Sequence, residues 1–267
     1  MLEWSTEGVP LVLLHGHGNE AHLWDDFVPC IAPHYRVIAV DQRGHGDSDW
    51  DPEGRYDTEY MVADLEALTD ALGIERFVLV GFSMGGRVSM SFAGLHPERL
   101  AGLVLVDIGP EVDARGALRI GMEMQSQPPV FANIDEYASV LSLNYPAGQP
   151  AALMRMARYA LRQRDDGLFE LKMDPKLRGE RPNDEAARAR EEASTKEHWE
   201  ALARIACPTL VVRGAASDIL SPETADKMVD EVLPNGRLEV VPQAAHSVAT
   251  DNPKGFEEAV SKFVLGE

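Results

Sequence analysis

Six short apolar runs recur along the chain, each followed by a longer amphipathic stretch. They are "PLVLLH" (10–15), "YRVIAVD" (35–41), "RFVLVG" (76–81), "LAGLVLVD" (100–107), "PTLVVRG" (208–214) and "RLEVVP" (237–242). Each is rich in Val, Leu and Ile with little alternation, as strands buried on both faces of a parallel sheet read. Between them the spacing predicts helices over 21–33, 57–73, 84–95, 222–233 and 252–264. Asp57 and Gly73 make sensible caps for the second of these. The alternation predicts an α/β fold with a mostly parallel central sheet flanked by helices.

The alternation breaks once. From about 109 to 206 no run reads convincingly as a strand. Helical patterns appear instead, including 151–163 and 184–205, separated by "NYPAGQP" and "MDPKLRGERPND". The expected organisation is a core of 1–109 and 206–267 with a helical insertion over 110–205.

Composition narrows the function classes. The chain has 267 residues, 25 basic and 44 acidic, for a net charge of −19. That balance argues against nucleic acid and anionic membranes as partners. Of the acidic excess, 111–200 carries only −3. No apolar run approaches the roughly 20 residues of a membrane span, and "MLEWSTEGVP" shows no basic region leading into an apolar one. Cys30 and Cys207 lie in apolar surroundings without partners at metal-ligand spacing, and read as reduced core thiols of a cytoplasmic protein.

The candidate chemistry centres on "LVGFSMGG" (79–86). A G-x-S-x-G pattern would arise by chance in roughly one chain in ten of this length, so its context matters. Here it follows a predicted strand and opens a predicted helix, the setting in which the serine projects from a sharp turn. The glycines leave room for that turn. Ser83 therefore sits at the carboxyl end of a strand, where open α/β sheets bind ligands.

A serine hydroxyl needs a base, and the base an orienting acid. His246, in the small-residue loop "VPQAAHSVATDNP", fits the base. His15, His17, His22, His34, His45, His96 and His198 either precede the serine or lack its strand context. Asp218, in "RGAASDILSP", fits the acid, and Asp107, closing strand 100–107, is its rival. Acyl transfer also needs two N–H donors for the oxyanion. The expected pair are the amides of Met84, after the nucleophile, and His17, in the glycine-bearing loop "HGHGNEAHLW".

The chain resembles the α/β-hydrolase superfamily, in its compact subgroup with a helical cap. The resemblance is carried by "LLHGHG" (13–18), Trp24, "DQRGHGDS" (41–48), "GFSMGG" (81–86), "HPERLAGLVLVDIGP" (96–110), "SD" (217–218) and "AAHS" (244–247). It implies a triad of Ser83, Asp218 and His246, oxyanion amides from His17 and Met84, and a cap over about 110–205. His45 and Asp47 would serve a structural turn. The chain departs from the pattern before its first parallel strand, where only "LEWSTEG" stands, so the amino-terminal edge strands should be shortened.

Serine at the nucleophile position selects acyl transfer over the alkyl-enzyme chemistry of relatives with Asp there. The expected function is hydrolysis of a carboxylic ester or lactone in a small molecule, with no metal and no organic cofactor. The chain would be a monomer or homodimer. Two alternatives use the same parts: a carbon–carbon hydrolase of a ring-cleavage pathway, and a slow-turnover small-molecule receptor. Phe82 and the loop "HGHGNEA" tilt away from the first. In the cap, Met122, Met124, Met154, Met156 and Met173 read mainly as packing, and Arg155, Arg158, Arg162 and Arg164 mainly as a solvated face.

Overall fold

The structure, a computed structural model, describes residues 1–179 and 184–266. The end of the predicted turn "MDPKLRGERPND", at 180–183, lies outside the described residues. In chain order the strands are β1 (Leu2–Glu3), β2 (Val9–Leu14), β3 (Tyr35–Val40), β4 (Phe77–Phe82), β5 (Leu100–Val106), β6 (Val130–Phe131), β7 (Leu161–Gln163), β8 (Phe169–Leu171), β9 (Thr209–Gly214) and β10 (Gly236–Val241). The helices are α1 (Val28–Ile31), α2 (Thr58–Ala71), α3 (Met84–Leu95), α4 (Ala114–Ser126), α5 (Ile134–Asn144), α6 (Pro150–Ala160), α7 (Glu185–Arg204), α8 (Pro222–Lys227), α9 (Val248–Asp251) and α10 (Pro253–Leu265).

Seven strands form the central sheet in the order β1-β3-β2-β4-β5-β9-β10. All neighbours run parallel except β1, a two-residue strand antiparallel to β3. The inner strands bury both faces, which is why their sequences are apolar without alternation. Val12, Leu14, Leu79 and Leu103 point into one core layer, with Met61 and Leu65 of α2 and Val88 and Phe92 of α3. Leu11, Leu13, Val78, Val80 and Val104 point into the other, with Trp24, Phe27 and Phe256. Fully burying one such side chain contributes roughly 1.5–3 kcal/mol.

The segment between β5 and β9 departs from the all-helical expectation. It carries α4 to α7, but also a three-stranded antiparallel sheet in the order β6-β8-β7. Its strands have two or three residues. A period of two cannot show over so short a run. The predicted helix over 151–163 accordingly stops at Ala160, and 161–163 pass into β7. The helix α7 lies on the flank of the core. It packs on α3, where a Cβ on Gly94 would stand 2.6 Å from Ala201. Arg87 donates to Glu191, and Ser91 pairs with His198.

Two other predicted helices are broken. The stretch 21–33 divides into a 3-10 turn, Ala21–Trp24, and α1. Pro29 stands in the first turn of α1, where its missing N–H costs nothing, so a new helix has to begin there. The stretch 222–233 begins as α8 and widens into a π turn at Met228–Val232. Both cysteines are free thiols, Cys207 buried and Cys30 half-buried. Among the described residues no helix is long and apolar enough to cross a membrane.

Candidate active site

Three described non-glycine residues have positive φ: Ser83 at 51°, Asp107 at 49° and Gln243 at 55°. Such a backbone costs roughly 1–3 kcal/mol and persists only where its surroundings impose it. Each follows a strand of the central sheet closely: Ser83 after β4, Asp107 after β5, Gln243 after β10. The strain therefore collects at one end of the sheet, where β4, β5 and the loop after β10 present their side chains.

The turn at Ser83 is enforced by contact. A Cβ on Gly81 would stand 2.3 Å from Ser89 Oγ, and one on Gly85 would stand 2.4 Å from the Leu14 carbonyl oxygen. Only glycine lets strand, turn and helix approach so closely. Helix α3 begins immediately after, at Met84.

The imidazole of His246 bridges two groups. Its Nε2 lies 3.0 Å from Ser83 Oγ, and its Nδ1 lies 2.8 Å from Asp107 Oδ2. Asp107 is wholly buried, and its Oδ1 accepts the Gly214 N–H at 2.8 Å. The Phe82 ring stands 4.9 Å from the His246 ring. Its other edge meets the Gly16 loop, where a Cβ on Gly16 would be 2.7 Å away. Phe82 thus packs between the His246 ring and the loop of His17, a placement its sequence position did not reveal.

Asp218 is paired differently. Both of its oxygens accept from the Arg119 guanidinium on α4, at 2.7 and 2.8 Å. Arg119 also donates to Glu123 at 2.8 Å. The hydrogen bond to Arg119 holds the Asp218 carboxyl below the usual carboxylate range. The expected pairing of Asp218 with His246 is thus replaced by Asp107–His246. The physical reason lies in the positive φ of Asp107, which turns its carboxylate from the strand end toward the imidazole. Sequence offered one signal for this, the position of Asp107 at the close of an inner strand.

The loop of His17 lies against the start of α3. Gly85 N donates to the His15 carbonyl at 3.1 Å. Its inner support is His15, whose Nε2 accepts the Gln42 N–H at 3.0 Å. Nδ1 therefore carries the proton and donates to the Gly16 carbonyl at 2.7 Å. Burial pushes His15 down to about 4 and His45 to about 3, so both rings are neutral at pH 7. The His17 ring meets His45 edge-on at 5.5 Å. Met84 is the first residue of α3, where a backbone N–H has no acceptor within its own helix.

The inserted segment reaches over this end of the sheet. A Cβ on Gly116 of α4 would stand 2.2 Å from the Asp218 carbonyl oxygen, and one on Gly18 would stand 3.2 Å from Met124 of the same helix. Eight residues of helix, about 12 Å, thus run from the Asp218 loop to the His17 loop, with Arg119, Ile120 and Glu123 between. Met173 also reaches Gly18, while Met122 is exposed. Three of the four arginines noted in the segment are paired: Arg155 with Asp26, Arg162 with Glu170, Arg164 with Asp166. A cavity of about 480 Å³ lies beside Leu14, Arg43, Trp50 and Met61, and neither Ser83 nor His246 lines it.

A family model described as alpha/beta hydrolase fold matches residues 9–253. The chain belongs to the α/β-hydrolase family. It is 31% identical to the 3-hydroxybutyrate-oligomer hydrolase of Cupriavidus necator over 263 residues, covering 94% of this chain and 87% of the relative. It is 29% identical to the pimeloyl-[acyl-carrier protein] methyl ester esterase of Aeromonas hydrophila, covering 97% and 96%. The crystal structure of an alpha/beta hydrolase from Novosphingobium aromaticivorans superposes with a TM-score of 0.81 at 29% identity, over 98% of this chain and 92% of that one. With relatives named hydrolases and esterases, the chain is a hydrolase of α/β fold.

Proposed function

We propose that this α/β-hydrolase cleaves a carboxylic ester of a small molecule through an acyl-enzyme on Ser83, with His246 as the base and Asp107 as the orienting acid. One observation carries the reading: an unbroken hydrogen-bonded series, Ser83–His246–Asp107, hung on a strained turn. Nε2 takes the Ser83 proton as Oγ attacks the ester carbonyl, then gives it to the departing alcohol. Water, deprotonated by the same nitrogen, releases the acid. Asp107 keeps Nδ1 protonated and steadies the imidazolium. The amides of His17 and Met84 are the assigned oxyanion donors, supported by the contact between their two segments. Residues 110–205 act as a cap over this end of the sheet, with α7 as its buttress on the core.

The test pairs a label with three variants. An organophosphonate should modify Ser83, and Ser83→Ala should abolish ester cleavage without changing the melting temperature. Asp107→Asn should lower kcat on the order of a thousandfold or more, since it leaves the wrong hydrogen on the imidazole. Asp218→Asn should retain most of it. Retained activity in Ser83→Ala ends the serine-hydrolase reading; the reverse order of the two Asp variants ends the assignment of Asp107.

A further inference from the structure

The loop after β9 meets the triad from outside it, and not through the expected Asp218. Its neighbour Ser217 lies in the tight turn closed by Ser217 N and the Gly214 carbonyl, at 3.0 Å. A hydroxyl has one hydrogen and two lone pairs. The Ser217 oxygen accepts the N–H of Ile219 at 3.1 Å and of Leu220 at 3.2 Å. Both lone pairs are thereby used. The remaining hydrogen points to Asp107 Oδ2, 2.5 Å away. That is the oxygen which also takes His246 Nδ1.

We propose that Ser217 is a positioning residue of this site, fixing the Asp107 carboxylate through a hydroxyl whose direction the loop backbone dictates. The inference rests on the reading of Asp107 as the acid. Gly214 N anchors Oδ1 and Ser217 anchors Oδ2, so the carboxylate cannot rotate about its last bond without breaking one of them. Without Ser217 the carboxylate keeps one backbone anchor, and its Oδ2 carries more charge toward the imidazole. His246 would then hold a proton more tightly, so less of it stands neutral at a given pH and it gives that proton less readily to the departing alcohol. The charged groups around it are otherwise unchanged: Asp107 itself, Asp218 with Arg119, and Asp251, whose Oδ2 accepts Ala245 N. Ser217 is hydrogen-bonded to Asp107 and not to Ser83, so the effect should fall on turnover and not on substrate affinity.

Ser217→Ala should lower kcat on the order of tenfold, leave KM within about twofold and slow organophosphonate labelling of Ser83 in parallel. The acidic limb of its kcat/KM profile should move to higher pH. Ser217→Thr, which keeps the hydroxyl, should restore kcat and the profile. Asp107→Asn is measured alongside. If that variant is fully active, the triad reading itself has failed. If it is inactive while folded Ser217→Ala keeps the wild-type kcat and pH profile, only the Ser217 proposal falls. A loss in Ser217→Ala with an unmoved pH profile, not restored by Ser217→Thr, marks loop packing and overturns it equally. Should Ser217→Ala fail to fold, Ser217→Cys, a weaker donor of similar size, must reproduce the upward shift or the proposal is withdrawn.

Discussion

At single residues, the two carboxylates at this end of the sheet divide the work by backbone conformation. Asp107 sits at φ 49° and is fully buried against His246, whereas Asp218 stays in its loop and pairs with Arg119. Spacing alone cannot separate them, because both follow a sheet strand and both precede His246 in the chain. What sequence does not carry is the sign of a dihedral angle at a non-glycine residue. The serine was legible for the opposite reason: the glycines its turn demands are written around it. Gly85 is the sharpest test of that demand. Its Cβ would stand 2.4 Å from the Leu14 carbonyl oxygen and 2.7 Å from that of His15. Gly85→Ala must therefore push α3 away from the loop of His17. The expected result is a loss of about 1–3 kcal/mol in urea unfolding together with a fall in kcat larger than any rise in KM. Wild-type kinetics in this variant would show that the loop tolerates displacement.

At the scale of elements, the long runs were readable and the short ones were not. The six parallel strands of the central sheet and helices such as α2, α3 and α10 lie within a residue or two of their expected bounds, since burial on both faces or on one helical stripe leaves a long pattern. The sheet of β6, β7 and β8 left none. Nor did the sequence reveal which face of α4 looks down on the site. The structure sets Gly116, Arg119, Ile120, Glu123 and Met124 along that face, at helical spacing, with Arg119 as the fastening to the Asp218 loop. The fastening is half-exposed, so it is worth about 1 kcal/mol or less to global stability. Its effect should be local. Arg119→Gln should change the melting temperature by less than about 2 °C yet raise amide exchange across 114–126 several-fold in hydrogen-exchange mass spectrometry. Exchange equal to wild type there would show that apolar packing of Ile120 and Met124 alone holds the helix down.

For the whole molecule, the buried titratable groups set a pH range for stability. His15 and His198 are pushed down to about 4 and His45 to about 3, in each case chiefly by burial. An unfolded histidine titrates near 6.5. Below that pH the unfolded chain binds protons that these three native rings refuse, so stability is lost as pH falls from 6.5 toward 4. Each such proton is worth about 1.4 kcal/mol per pH unit. Glu20 acts in the opposite sense. Burial raises it to about 8, so the folded chain holds a proton that the unfolded chain releases above its ordinary value of 4.5. Its contribution falls as pH rises from 4.5 to 8, and the raised Asp251 works in the same direction from 3.8 upward. Between 4.5 and 6.5 three histidines outweigh these carboxyls, and stability climbs with pH. At 6.5 the unfolded histidines are still half protonated; above about pH 7 they have largely finished titrating in both states, and Glu20 draws stability down. Urea midpoints measured from pH 5 to pH 8.5 should therefore peak at about pH 7, falling more steeply on the acid side. Glu20→Gln, which keeps a neutral side chain of the same shape at every pH, should flatten the alkaline side and leave the acid side as it was. A wild-type curve that keeps rising to pH 8 would mean that Glu20 is ionised in the folded chain despite its burial.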